Sequence, residues 1–180
     1  MRALFAAAIA LTAVSGCATT NMISSERVVV PMNMVAADGT SHSAGMVTLN
    51  DSIAGLVLLP ALVHIPEGSH GFHVHANGSC APGPDAQGKT IAAGAAGGHF
   101  DPQNTGMHGP PQGPGHMGDL PPITADSVGN VAEAVVAPRL KLADVRGKAL
   151  MVHVGGDNHS DHPAPLGGGG GRMACGVIPQ

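Results

Sequence analysis

Residues 71–75 read GFHVH, and residues 97–119 read GGHFDPQNTGMHGPPQGPGHMGD. Alternate side chains of an extended strand share one face, so His73 and His75 can approach the same ligand while Val74 points into the opposite layer. The second stretch adds further donor side chains: His99, His108, His116 and Asp119. Such a density of imidazole nitrogens beside a carboxylate is typical of a metal site.

Two long loops are predicted. The first, 78–122, is rich in glycine and proline and has little hydrophobic pattern, so it needs something to order it within a compact domain. Metal coordination would supply that order. The second, 155–171, ends in five consecutive glycines, whose simplest interpretation is a flexible connector that leads into Arg172.

The composition favours an all-β domain. The chain has 180 residues, enough for one domain, with 27 glycines, 15 prolines and 2% aromatic residues. No apolar run with a helical period persists between the glycines and prolines. Short apolar runs alternate with turn signals and predict eight strands, at 27–36, 43–49, 53–60, 70–76, 120–125, 131–136, 149–154 and 172–178. This spacing is typical of a sandwich or barrel with Greek-key connections.

The charge distribution argues against nucleic acid as a partner. The formal net charge is -4, and the eight lysines and arginines are spread along the chain. Nucleic-acid binding requires a basic patch or stripe. We therefore exclude nucleic acid as a partner.

The N-terminus has the pattern of an export signal. Arg2 precedes an apolar run at 3–14 and two small residues, which predicts a signal peptide over 1–16 that is too short to span a bilayer permanently. The ending VSGC, with Cys17 last, resembles a bacterial lipoprotein box, in which the cysteine becomes the acylated N-terminus. A plain signal peptide cleaved nearby is the alternative. The prediction is a periplasmic protein with a lipidated tether over 17–26 and a domain over 27–180.

The cysteines agree with this interpretation. The chain contains three of them. If Cys17 is acylated, Cys80 and Cys175 remain as a pair in an oxidising compartment, where a disulfide forms and persists. The lipid anchor would then be the protein's only contact with a membrane, and acyl chains would make that contact stable.

Five motifs carry a family resemblance. In chain order they are GFHVH, GGHFDPQNTGMH, GHMGDLP, MVHVGGDN and GGGGGRMACGVI. Together they resemble the bacterial, secreted branch of the copper,zinc superoxide dismutases, over nearly everything from Val28 to Ile178. The resemblance implies a flattened, eight-stranded Greek-key β-barrel or immunoglobulin-like sandwich with two long functional loops.

The resemblance also implies two metal ions that share one imidazole. The implied copper ligands are His73, His75, His99 and His153. The implied zinc ligands are His99, His108, His116 and Asp119, so His99 is the bridge. A count of donors agrees in part: two four-coordinate ions need eight donors, seven residues are offered, and an imidazole has two ring nitrogens. Four nitrogens suit Cu(II), and nitrogens with a carboxylate suit zinc.

Two more residues take roles from the resemblance. Asp157 resembles the family's aspartate that links a copper histidine to a zinc histidine; its alternative role is a turn cap in GGDN. Arg172 resembles the anion guide beside copper, although an arginine at the start of a strand is more often only solvated. The remaining histidines are assigned no ion, and His70 is interpreted as a scaffold residue: His42, His64, His70, His159 and His162.

The function implied by the resemblance is dismutation of superoxide to oxygen and hydrogen peroxide, with copper alternating between Cu(II) and Cu(I). His99 would leave copper in the reduced state and carry a proton. A periplasmic copper and zinc binding protein without catalysis is the alternative, and a zinc hydrolase is disfavoured because no general-base glutamate accompanies an open zinc position. Monomer and homodimer both remain open.

Overall fold

The structure is a computed structural model that describes residues 26–180. The predicted signal peptide and the predicted lipidation site, Cys17, lie outside the described residues. Within 26–180, no helix is long and apolar enough to cross a bilayer.

The described chain is built almost entirely of antiparallel strands. The strands are β1 Arg27–Val35, β2 Ser41–Ser52, β3 Gly55–Leu62, β4 Gly68–His70, β5 Phe72–His75, β6 Gly83–Pro84, β7 Thr90–Ile91, β8 Ile123–Ala125, β9 Val135–Ala137, β10 Ala149–His153 and β11 Arg172–Val177. One short helix, α1 Leu142–Val145, and two 3-10 turns, Gly94–Ala96 and Leu166–Gly168, complete the set.

Seven of the strands form one curled sheet in the order β5-β10-β11-β1-β2-β3-β9. After the β1-β2-β3 meander, the chain crosses to the far edge of the sheet, where β5 lies beside β10; this crossing is a Greek-key connection. β4 and β8 form a separate two-stranded sheet, and Val131 makes an isolated bridge to Leu62 of β3. The predicted all-β class is confirmed.

Two predicted strands differ from the observed ones. The strand predicted at 70–76 is divided at Gly71, because β4 pairs with β8 whereas β5 pairs with β10. The strand predicted at 131–136 is displaced: Val131 makes only a bridge to Leu62, and β9 then pairs with β3 further back along that strand. The β6–β7 hairpin was not predicted, because two-residue strands carry no periodicity.

Burial along the strands explains where the site lies. In β1 the burial alternates, with Val28, Val30 and Met32 inside. In β5 and β10 every residue is buried, because the core covers one face of these strands and the long loops cover the other. Side chains on that second face are therefore enclosed by loops rather than by water.

The core is aliphatic around Phe72, and a second small cluster surrounds the disulfide. Cys80 and Cys175 are bonded, with Cα atoms 5.7 Å apart, which confirms the predicted pairing. The bond fastens the first long loop to β11. Its cluster consists of small or flexible apolar residues: Ala93, Ala96, Ala149 and Met151.

Candidate metal centre

The first long loop joins the sheet at the free edge of β5. The Val74 amide donates to Gly118 O at 2.9 Å, and the Phe100 amide donates to Val74 O at 2.8 Å. These bonds place His99 opposite His75 and Asp119 opposite His73, as isolated bridges. The two sequence stretches that predicted a metal site therefore come together by ordinary strand pairing.

The seven predicted ligands are all buried: His73, His75, His99, His108, His116, Asp119 and His153. Three compact donor groups occur among the described residues, each with donor atoms within 4.8 Å of one another, and two of these groups have four members. One group is His73, His75, His99 and His153, and the other is His73, His99, His108 and Asp119. Buried polar groups at this density are costly unless something satisfies them.

His75 and His153 present lone pairs to each other. The Nδ1 proton of His75 is donated to Gly97 O at 2.9 Å, and that of His153 to Gly170 O at 3.2 Å. Burial lowers the pKa of His153 to about 4 and that of His75 well below its ordinary value, so both rings are neutral. Their Nε2 atoms, 3.3 Å apart, are then both acceptors. Only a cation between them makes this contact favourable.

His73 also keeps one ring nitrogen available for a cation. Its Nε2 proton is donated to Asp157 Oδ2 at 2.8 Å, which leaves Nδ1 as a lone pair. Nδ1 is buried and has no hydrogen-bond partner within 26–180. Burial lowers the pKa of His73 to about 3, so the ring stays neutral, as a metal-ligating imidazole must be.

Asp119 is the centre of the second group. Its Oδ1 lies 2.9 Å from His99 Nδ1, 3.0 Å from His108 Nδ1 and 3.3 Å from His116 Nδ1. Ligands of one tetrahedral zinc ion at its usual bond lengths lie about 3.3 Å apart, so these separations fit such an ion. Burial alone would raise the pKa of Asp119, but hydrogen bonds from His108 and His99 outweigh it and keep the carboxylate charged.

His108 shows that this position attracts positive charge. Burial alone would lower its pKa, but Asp119 and Asp157 outweigh burial and raise the pKa to about 9. A metal ion that binds here must displace that proton. The donors present, nitrogens with one carboxylate, therefore fit a divalent cation of the zinc type.

His99 lies between the two groups. His73 and His99 both belong to each group. One nitrogen of His73 is already committed to Asp157, so His73 has one donor to offer. His99 has two: Nδ1 faces Asp119, and Nε2 is buried without a hydrogen-bond partner among the described residues. The arrangement suits one shared imidazolate.

His116 is the one predicted ligand that belongs to no compact donor group among the described residues. It is absent from the second compact group, in which His73 appears instead, and it reaches that group only through Asp119. His73 belongs to both four-residue groups but has a single lone pair to offer, whereas His116 Nδ1 lies 3.3 Å from Asp119 Oδ1. His116 remains a predicted ligand.

Asp157 joins the two groups from outside. One carboxylate oxygen accepts from His73 Nε2 and the other from His108 Nε2, both at 2.8 Å. The His159 amide also donates to Asp157, at 2.7 Å. These partners hold the pKa of Asp157 far below its ordinary value, although burial alone would raise it. The contacts are those predicted for a linking aspartate.

Two glycines of the run are packed against these ligands, which the interpretation of the run as a flexible connector did not predict. Gly167 has φ 70°, and a Cβ there would lie 2.0 Å from Asp157 Oδ1. Gly169 is buried against the His153 ring, where a Cβ would lie 3.3 Å from Cγ. Glycine is required at 167 because the backbone passes directly over the carboxylate in a left-handed conformation.

Arg172 is tied down beside the first group. Its Nη1 donates to Ala93 O and its Nη2 to Gly97 O, both at 2.5 Å. Gly97 O also accepts the His75 proton, so one carbonyl orients both side chains. Gly97 has φ 73° and ψ -158°, a conformation that is essentially confined to glycine. The sequence analysis missed this carbonyl, and only the GG pair before His99 hinted at it.

Among the described residues, four of the other histidines belong to no compact donor group: His42, His64, His70 and His162. The ring nitrogens of buried His70 lie 2.9 Å from His153 O and 2.7 Å from Pro66 O, a scaffold role. His42 and His64 are exposed and face each other at 6.4 Å between ring centroids. His159 differs from them: its Nδ1 lies 3.7 Å from Asp157 Oδ1, and it forms a third donor group with His108 and Asp157.

Comparison with known proteins agrees with this geometry. The sequence model of the family described as "Copper/zinc superoxide dismutase (SODC)" matches residues 43–178. The chain is 57% identical over 150 residues to "Superoxide dismutase (Cu-Zn) 2" of Salmonella typhimurium, across 83% of this chain and 86% of that protein.

Two solved structures are similar as well. The Cu/Zn superoxide dismutase from Brucella abortus superimposes with a TM-score of 0.82 at 51% identity, covering 85% of this chain and 99% of the other. The monomeric copper, zinc superoxide dismutase from Salmonella enterica gives a TM-score of 0.75 at 55% identity, covering 85% and 99%. The chain therefore belongs to the copper/zinc superoxide dismutase family.

Proposed function

We propose that the two donor groups bind the copper and the zinc ion that family membership implies for each subunit, and that His99 is shared between them. The copper ligands are His73, His75, His99 and His153, and the zinc ligands are His99, His108, His116 and Asp119. The observation that carries this assignment is His99 itself, with one ring nitrogen toward Asp119 and the other buried without a partner within 26–180.

The chain is a superoxide dismutase, and its residues serve that reaction in distinct ways. Bound copper supplies a one-electron couple, so that two superoxide anions and two protons become oxygen and hydrogen peroxide. His75 and His153 are held neutral by burial, with their protons on backbone carbonyls, so that their Nε2 lone pairs stay available. His99 Nε2 is the atom placed to carry a proton, and Asp119 holds the opposite side of that ring.

His99→Ala tests the shared ligand. In the wild-type protein, adding zinc to the copper-loaded form is expected to change the copper spin-resonance spectrum, because one imidazole contacts both ions. In His99→Ala, zinc should leave the copper spectrum unchanged. His42→Ala, which changes an exposed histidine outside the cluster, is the control and should behave like wild type. Identical spectra for wild type and His99→Ala would remove the shared-ligand assignment.

Arg172 is the proposed docking group for the anion. Two of its donors are held by carbonyls, and the planar guanidinium keeps further donors and a permanent charge beside the copper ligands. Because the chain is net negative, attraction of superoxide has to be local. A protein that only stored metal would have no use for this charge, so the position of Arg172 favours the enzyme over the alternative.

Arg172→Ala should slow superoxide decay by about tenfold while both metals stay bound, because local electrostatic attraction is lost. The measurement is decay of superoxide by enzyme of known copper and zinc content. Arg146→Ala removes a remote, half-buried arginine that bonds Gln180 O and the Glu26 carboxylate, and it should be neutral for this reaction. If Arg172→Ala were as fast as wild type, the docking role would be wrong.

The proposed location is the periplasm, with the lipid anchor at Cys17. The support is the export signal and lipoprotein box in the sequence, together with the disulfide at Cys80 and Cys175, which belongs to an oxidising compartment. Mass spectrometry of the mature N-terminus measures the acylation directly. Monomer and homodimer both remain in the proposal, and the similar enzyme from Salmonella enterica is monomeric.

A further inference from the structure

Arg139 reaches from just beyond β9 into the first long loop. Its Nε donates to Pro111 O at 2.8 Å, its Nη1 to Gly115 O at 3.0 Å and its Nη2 to His116 O at 2.5 Å. All three bonds are made to backbone carbonyls of one seven-residue segment, 110–116. One side chain thus fixes the part of the loop that leads to His116.

Segment 110–116 has few other means of holding its shape. It reads PPQGPGH, so three of its residues are prolines without an amide proton and two are glycines. Its own backbone bonds include Gly113 N to Pro110 O at 2.8 Å and His116 N to Met107 O at 3.0 Å. The chain also folds closely on itself, since a Cβ at Gly115 would lie 2.6 Å from Gly109 N. Such a segment depends on an external partner for its order.

We propose that Arg139 is a positioning residue for zinc: it holds the His116 backbone, and through it the zinc side of the site, so that zinc leaves slowly. The inference rests on the proposed assignment of His116 and Asp119 to zinc. His116 needs this support more than the other ligands, because it is the one that lies outside the compact donor groups. Arg139 acts through a carbonyl and touches no ligand ring.

The copper side does not share this dependence. Three of the proposed copper ligands stand on strands of the sheet, His73 and His75 on β5 and His153 on β10. The hydrogen-bond partners of these rings, Asp157 for His73, Gly97 O for His75 and Gly170 O for His153, lie outside segment 110–116. Loss of Arg139 should therefore speed the release of zinc more than the release of copper.

Arginine suits this task better than lysine. Its planar fork directs several donors at fixed angles, whereas the lysine ammonium is a single point with rotating donors. Arg139→Lys keeps the charge and loses the fork. Arg139→Lys should therefore release zinc more slowly than Arg139→Ala but faster than wild type.

The experiment measures release of zinc and of copper to a chelator from the fully loaded, oxidised, full-length protein. Arg139→Ala is expected to lose zinc about tenfold faster than wild type, in line with the usual effect of removing a group that orients a metal ligand. Copper release should change by less than about twofold on the same argument. Hydrogen exchange should quicken at the Gly113 and His116 amides. The rate of zinc release from Arg139→Lys should lie between those of wild type and Arg139→Ala. The rate from Arg146→Ala should equal that of wild type.

Each outcome decides a different point. Equal zinc release from Arg139→Ala and Arg146→Ala overturns the role of Arg139. Parallel acceleration of copper and zinc also overturns it, because that is general loosening of the fold. If Arg139→Ala does not fold, Arg139→Lys decides by the same two rates. If wild type holds no zinc at all, the zinc assignment fails instead, which keeps the two proposals distinguishable.

Discussion

Removing the disulfide is expected to lower the free energy of unfolding of the metal-free chain by about 4 to 5 kcal/mol, on the loop-entropy estimate. Cys80 and Cys175 are separated by 95 residues, so the bond restricts a large part of the unfolded chain. Domains of this kind are stable by only about 5 to 15 kcal/mol in total. The disulfide therefore supplies a major share of the stability before any metal binds.

The measurement is urea unfolding of the metal-free protein with the disulfide intact and after reduction. Reduction keeps both sulfur atoms, so it removes the covalent bond without creating a cavity at the fully buried Cys175. The double variant Cys80→Ala with Cys175→Ala should have a still lower free energy of unfolding than the reduced protein, because it adds that cavity. Metal-free protein is needed, since bound metal would stabilise both forms. A loss below about 1.5 kcal/mol would show that the unfolded chain gains little freedom from reduction.

The disulfide also bears on the site. Its cluster includes Ala93, whose carbonyl accepts from Arg172. Ala96 in the same cluster directly precedes Gly97, the carbonyl shared by Arg172 and His75. The covalent bond and Arg172, the proposed docking group, thus contact the same short stretch of loop.

The sequence predicted the strands and the ligand spacing because both are local patterns. Alternation of side chains along β5 places His73 and His75 on one face, and this needs no knowledge of the rest of the chain. The cysteine pairing could also be inferred, because only two cysteines remain if Cys17 is acylated. The division of a predicted strand at Gly71 was not foreseen, since it follows from partners that are remote in sequence, β8 and β10.

The parts that the sequence did not predict are long-range backbone contacts. Gly97 O, Gly170 O and the three carbonyls bonded by Arg139 carry no side-chain signal, because every residue has a carbonyl. The packing of two glycines in the glycine run was not predicted for the same reason. A run of glycines is typical of a flexible connector, and only the approach of Gly167 to Asp157 shows that small size is needed there.

Asp157→Asn is expected to weaken retention of at least one of the two metals by about 10- to 100-fold, the usual effect of losing a partner that orients a metal-ligating histidine. The carboxylate has an acceptor for each ring, Oδ2 for His73 and Oδ1 for His108. An amide of the same shape has one acceptor and one donor, so at least one ring must rotate or change tautomer. Competition with chelators of known affinity, run separately for each metal, measures the loss. If retention of neither metal were weakened, the two hydrogen bonds of Asp157 would not be needed to orient the ligands.

Two glycine variants separate this effect from general damage to the loop. Gly167→Ala would place a Cβ 2.0 Å from Asp157 Oδ1 and 2.9 Å from His108 Nε2, so it should weaken metal retention as Asp157→Asn does. Gly168→Ala is the matched control, because its φ of 80° brings similar backbone strain while the nearest atom, Ala164 Cβ, is 3.9 Å away. Gly167→Ala should retain the metals much less well than Gly168→Ala. Equal losses in both would mean that strain in the turn, rather than displacement of the carboxylate, releases the metals.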